Sequence, residues 1–229
     1  MATELILIRH GNAIRIQGDY VHAPLTTLGV QQADLTGQYL QYLHAQPPLS
    51  GFYSSPLRRA KETAAHIGAK IGMTPEEKNG IREIEGFEVP ALAILEALSI
   101  LDPVEDYLDT HAGKPLRWPI EGRVAQATIE MVTAHPNQRI AAVAHSGMIS
   151  AVLAWAFPEQ RLKWWSTMVG NCSLTRLRIE GTAIELIAVN ETHHLSPELT
   201  TVQPPAPAVQ LTKTVVKTVT RRPTATKSI

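Results

Sequence analysis

Apolar side chains recur along this chain in two rhythms. Residues 4–8 (Glu-Leu-Ile-Leu-Ile) scarcely alternate, as in a strand buried on both faces, and they run straight into Arg9-His10-Gly11. Residues 26–46 instead space Leu28, Ala33, Leu35, Leu40 and Leu43 as a helix does. Thr26 or Thr27 can cap its start, and Gln-Pro-Pro-Leu-Ser-Gly stops it. Gly-Phe-Tyr-Ser-Ser at 51–55 reads as a short strand. Pro56 suits a first helical turn, and the helix that follows closes at Gly72. Further on, "PALAILEALSILD" and "EGRVAQATIEMVTAHP" read as helices, "RIAAVAHSG" as a strand ending in a turn, and "MISAVLAWAF" as a helix. "SLTRLRIEGTAIELIAVN" reads as a hairpin around Glu180-Gly181.

Strands alternating with helices predict an α/β fold: three layers, α/β/α, with a mostly parallel central sheet and an antiparallel edge strand from the hairpin. The 229 residues suffice for one domain with a full core. That domain is expected over 1–196, with a cap or insertion over roughly 84–138. From 197 to 229 the texture turns Pro- and Thr-rich and predicts a mobile tail, with a strand formed by "TVVKTVT" against a partner as the alternative for that stretch.

Charge and composition narrow the function classes. The formal net charge is zero, so no global basicity points to nucleic acid. Zero conceals an asymmetry: residues 1–198 carry 16 basic and 21 acidic side chains, while Lys213, Lys217, Arg221, Arg222 and Lys227 give the tail +5. That tail could recruit an acidic partner, or be a solvated extension. The single cysteine, Cys172, excludes an intrachain disulfide and suits a reducing, cytoplasmic setting. The start of the chain lacks a basic n-region and reads as a strand, not a signal peptide. The longest apolar run, 140–157, is broken by His145, Ser146 and Gly147, which argues against a membrane span. The adjacent pair His193-His194 has no Asp or Cys at ligand spacing, so no metal is expected.

Two strands end alike, one in Arg9-His10-Gly11 and the other in His145-Ser146-Gly147. As parallel neighbours they would bring two histidines to one sheet edge, where open α/β sheets place their chemistry. Arg58 and Arg59 open a helix after a third strand, and a helix start adds free N–H groups and partial positive charge. Singly each residue is ordinary: a turn histidine, a solvated helix arginine, a surface acid at Glu83. Together they would make a pocket for a dianion such as phosphate, whose oxygens match arginine forks.

"RHG", "LTTLGVQQA", "SSPLRRAKETA", "IREI" and "VAHSG", in that order, together with "GNCSLTRLRIEG…LIAVNETHHL", resemble the histidine phosphatase superfamily, in its phosphoglycerate mutase-like branch, over roughly residues 4–195. The resemblance implies that His10 is a nucleophile forming a phosphohistidine. It implies that Arg9 and Arg59 hold phosphate oxygens, that His145 donates to the same group, and that the Ser146 amide and Asn12 assist. It makes Glu83 the acid that protonates the leaving group and then activates water; Glu85, two residues on, would point the same way on an extended segment. Gly29, Gln32 and Ala33 are read as packing residues, and Asn171 as fixing a turn. No cofactor is implied. The expected partner is a phosphorylated small molecule or phosphoprotein, with neither nucleic acid nor membrane.

The chain departs from the family pattern at Asn12, where Glu or Gln is common, at Arg15 and Ile16, at "EGFEVP" after the acid, and at Ser146, inserted before Gly147. Arg15 is either an extra cation for substrate or a solvated side chain. Specificity is expected from the segment between Glu83 and Arg139, where "RWP" around Trp118 and the apolar "VPALAILEALSIL" form either a cap wall or a core helix. The leading activity is phosphomonoester hydrolysis; the alternatives are a mutase and a phospho-ligand binding module.

Overall fold

A computed structural model describes residues 2–14, 21–44, 47–83, 117–160, 163–164, 167–201 and 214–215. The elements run β1 (Thr3–Arg9), α1 (Thr27–His44), β2 (Leu49–Ser54), α2 (Arg58–Ile71), β3 (Glu76–Glu77), a 3-10 turn (Asn79–Ile81), α3 (Arg117–Ala134), β4 (Arg139–Ala144), α4 (Ser146–Ala156), β5 (Leu174–Glu180), β6 (Ala183–Glu191) and β7 (Thr214–Val215). They form one sheet of order β3-β2-β4-β1-β5-β6-β7. β3, β2, β4 and β1 are parallel; β5 turns antiparallel against β1, and β6 and β7 alternate after it. Five strands thus share one direction, and β5 and β7 oppose them.

The unbroken apolar run of β1 follows from cover on both faces. Leu5 and Leu7 enter one core with Ile140, Ala142 and Ala144 of β4 and with Val124, Met131 and Leu153 of α3 and α4. Ile6 and Ile8 enter the other with Ala141 and Val143 of β4, Leu40 of α1, and Ala60, Ala64 and Ile67 of α2. These two cores are the interfaces of an α/β/α sandwich. Among the described residues, no helix is long and apolar enough to cross a membrane.

The helix ends obey local chemistry. The Thr26 hydroxyl accepts the Gly29 amide at 3.0 Å and so caps α1. Gly72 closes α2 at φ 71°, a left-handed conformation that favours glycine. α2 starts two residues after Pro56. α3 starts earlier than the apolar pattern suggests: Arg117 and Trp118, read above as part of an isolated motif, open the helix, and Pro119 lies in a first turn that tolerates its missing N–H. Of the segment expected as a cap, 84–116 lies outside the described residues, as does most of the tail. The start of the tail packs on the domain, since the Leu199 carbonyl accepts Gln32 Nε2–H at 2.7 Å. Thr214–Val215, within the stretch able to pair, extends the sheet beyond Ala183 and Ile184.

Candidate active site

Register builds the site. Arg9 lies opposite Ala144, and Ser54 opposite Val143, so the parallel strands stop together at one edge. The next residue of each chain segment is then His10, His145 or Ser55. The His10 amide donates to the Ala144 carbonyl, and the Ser55 amide to the Val143 carbonyl, both at 2.9 Å. The His10 and His145 rings sit 5.1 Å apart. β5, running the other way, brings its start to the same edge. There the Cys172 amide donates to the Arg9 carbonyl, and Asn171 Nδ2–H donates to the His10 carbonyl, both at 2.9 Å.

His10 is buried, with Nδ1 2.7 Å from the Gly11 carbonyl. A carbonyl only accepts, so Nδ1 carries the proton and Nε2 the lone pair. Arg59 Nε–H meets that lone pair at 3.1 Å. Burial, then the charges of Arg59 and Arg9, push the His10 pKa down to about 3, against the opposing pull of the Gly11 carbonyl. His145 is fully buried, and burial, then His10 and Arg59, hold it well below the usual imidazole range. Both rings are therefore neutral near pH 7. Arg59, also buried, has its pKa lowered by burial, partly offset by the nearby charge of Glu83. Arg9 Nη1–H donates to the Val169 carbonyl at 2.5 Å, which aims the guanidinium across the edge.

The structure thus brings Arg9, His10, Arg59 and His145 into one charge-coupled cluster, with Glu83 acting on Arg59 from a half-buried position. Ser146 is the first residue of α4, directly after His145. The side chain of Asn12 turns to α1, its Oδ1 accepting the Thr26 hydroxyl at 2.8 Å. The backbone amide of Asn12 donates to Gln32 Oε1 at 2.8 Å, so Gln32 braces this loop as well as packing. Arg15 and Glu85 lie outside the described residues. Gly11 owes its identity to close approach, not to an unusual turn: a Cβ there would meet the Gly29 carbonyl oxygen at 2.6 Å. Burial pushes the Cys172 thiol up to about 12, which leaves it chemically quiet. His193 and His194 pack around Tyr39.

Several contributors went unread in the sequence. Ser55 holds His145 Nε2 at 2.7 Å; its signal was a serine placed where an apolar strand meets a helix. Thr63 Oγ accepts the Gly11 amide at 3.0 Å. Asn171, read as a turn residue, anchors the backbone of His10 as well. Arg123 Nη1–H reaches the carbonyls of Gly80 and Arg82, at 3.1 and 3.0 Å, and so holds the segment that leads into Glu83. Nothing local in α3 marks that arginine.

The sequence pattern of the histidine phosphatase superfamily (branch 1) matches residues 5–192. Phosphoglycerate mutase-like protein 4 of Arabidopsis thaliana is 30% identical over 173 residues, 69% of this chain and 73% of that protein. A Hydrogenobacter thermophilus protein named as a phosphoserine phosphatase is 26% identical over 203 residues, 83% of this chain and 96% of its own. Among solved structures, a mutant phosphoserine phosphatase of Entamoeba histolytica in complex with phosphoserine aligns with a TM-score of 0.64 at 23% identity, covering 85% of this chain and 100% of that one. A mycobacterial glucosyl-3-phosphoglycerate phosphatase aligns with a TM-score of 0.61 at 21% identity, covering 84% and 100%. The two structural likenesses establish a shared α/β fold.

Proposed function

The chain belongs to branch 1 of the histidine phosphatase superfamily and is a phosphatase enzyme, and we propose that it hydrolyses phosphomonoesters through a covalent phosphohistidine on His10. One observation carries this reading: His10 holds a neutral ring with its Nε2 lone pair directed at the Arg59 guanidinium, 3.1 Å away. A nucleophile and an anion-binding fork therefore share one point in space. A phosphoryl group bound by Arg59 lies within reach of Nε2.

The reaction runs as two displacements at phosphorus. His10 Nε2 attacks phosphorus and forms the N–P bond as the ester P–O bond breaks. Glu83, in its protonated form, gives its proton to the departing alkoxide. The resulting carboxylate then takes a proton from water, whose oxygen attacks phosphorus and releases the His10 nitrogen. Arg9, Arg59 and a His145 N–H stabilise the charge spread over the equatorial oxygens. The Ser146 amide, at the start of α4, adds a donor on the same side. We assign Asn12 to bracing the mouth, its Oδ1 accepting the Thr26 hydroxyl, with both Nδ2 hydrogens left as candidate donors to a phosphate oxygen.

Small phosphorylated molecules are the proposed substrates. The named relatives support this class, since they include proteins named for phosphoserine and for a glucosyl phosphoglycerate. The lone, buried Cys172 favours a cytoplasmic setting. Turnover of an aryl phosphate in EDTA, absent in His10→Ala, is the expected result. Rapid quench with a 32P-labelled substrate should trap acid-labile label on the wild-type protein and none on the variant. Equal turnover by both proteins would refute His10 as nucleophile. Phosphate binding without turnover in the wild type would favour a binding module.

A further inference from the structure

His145 and Ser55 are both fully buried, and His145 Nε2 lies 2.7 Å from Ser55 Oγ. The other ring nitrogen, Nδ1, is buried and has no hydrogen-bond partner among the described residues. A neutral imidazole carries one N–H and one lone pair, so which nitrogen holds the proton decides what Nδ1 offers a ligand. Burial and the neighbouring cations keep this ring neutral at ordinary pH.

The hydrogen count at Ser55 makes the choice. Its Oγ already accepts the Leu57 amide, at 3.3 Å. It has a single hydrogen to give, and among the described residues the acceptor within hydrogen-bond reach is His145 Nε2, at 2.7 Å. If Nε2 carried the ring proton, the Ser55 hydroxyl hydrogen would be stranded in a buried setting, and Nδ1 would present a lone pair. If Nε2 accepts, the hydroxyl is satisfied at both ends and Nδ1–H remains as the unused donor. Buried polar groups are rarely left unsatisfied. An anion beside His10 rewards the second arrangement again, because a lone pair facing a phosphoryl oxygen repels it. We propose that Ser55 is a positioning residue that locks His145 in the Nδ1–H tautomer, so that Nδ1–H is the donor offered to the phosphoryl oxygen.

Register puts Ser55 in that place. Ser54 pairs with Val143, so Ser55 leaves β2 beside the end of β4, just where His145 begins. The Ser55 amide is itself bonded to the Val143 carbonyl at 2.9 Å, which fixes the origin of the hydroxyl. The role rests on the phosphohistidine reading above, because it presumes a phosphoryl group between the two histidines.

The test separates the two. In full-length protein with 15N-labelled histidine, long-range 1H–15N spectra report which nitrogen of His145 is protonated, with no need for turnover. The wild type should show Nδ1 protonated and Nε2 bare, with and without inorganic phosphate. Ser55→Ala should mix the tautomers, weaken inhibition by inorganic phosphate, and lower kcat/KM by roughly 10- to 100-fold, short of deleting the donor itself. Ser55→Thr, which restores a hydroxyl, should recover the single tautomer. A wild-type His145 protonated at Nε2 would overturn the proposal, with no variant needed. So would a folded Ser55→Ala protein that keeps the Nδ1–H tautomer and full kcat/KM. The predicted tautomer in a wild-type protein without turnover would support the Ser55 contact and refute the phosphatase reading.

Discussion

Lowering the pH from 7 to 5 should destabilise this protein through His10. Its folded-state pKa is about 3, against the ordinary 6.5. Below pH 6.5 the unfolded chain takes up a proton that the folded protein refuses until about pH 3. The unfolded state then binds more protons, so stability is fully present above 6.5 and is lost progressively down to 3. At pH 5 the unfolded value lies about 1.5 units above the pH, which at about 1.36 kcal/mol per unit is a loss of about 2 kcal/mol. Any folded-state value below about 4 gives nearly the same figure, so the result does not depend on how far burial has driven the ring. Against a typical total of about 5–15 kcal/mol this is large. His10→Asn removes the titration while keeping a polar side chain of similar reach. Urea unfolding in phosphate-free buffer should show the wild type losing about 2 kcal/mol more than His10→Asn between pH 7 and 5. Groups that do not touch His10 contribute alike to both proteins and cancel in the difference. Parallel pH profiles, agreeing within about 0.5 kcal/mol, would refute the argument that burial and the two arginines hold His10 neutral.

Two further outcomes follow from contacts around the site. Arg123→Met frees the Gly80 and Arg82 carbonyls and loosens the approach to Glu83, so kcat should fall on the order of 10- to 100-fold while inhibition by inorganic phosphate changes far less; steady-state kinetics with phosphate as inhibitor reads both, and an unchanged kcat would mean that the segment is held by other contacts. Gly29→Ala drives a Cβ into the Asn12 carbonyl oxygen, forcing α1 away from the His10 loop, and should cost about 1–3 kcal/mol in urea unfolding together with a raised KM.

Much of the site was legible because its parts sit at the ends of regular elements. An apolar run that stops at Arg9-His10-Gly11 marks the end of a buried strand, and a second run that stops at His145 marks another. Periodicity also located α1, α2 and the β5–β6 hairpin within a residue or two of their ends, because caps and left-handed glycines act over one turn. Less legible was Gly11, whose identity follows from the Gly29 backbone packed against it and not from a local turn. Asn12, read as a phosphate ligand, has a partner the sequence did not suggest: its Oδ1 ties the loop to the start of α1.

By itself, then, the sequence determined most of the strands and helices among the described residues, though not the two-residue β3 or the start of α3, that the fold is α/β, and which side chains stand at strand ends, since those properties depend on neighbours a few residues apart. Only the tertiary structure decided which ends meet. Strand order and register join His10 to His145 across 135 positions of chain and Ser55 to His145 across 90. They also bring Asn171 to the back of His10, and α3 brings Arg123 to the segment before Glu83. Such partnerships are selected by packing two cores on one sheet and by satisfying buried polar groups, and neither constraint leaves a periodic trace in the sequence.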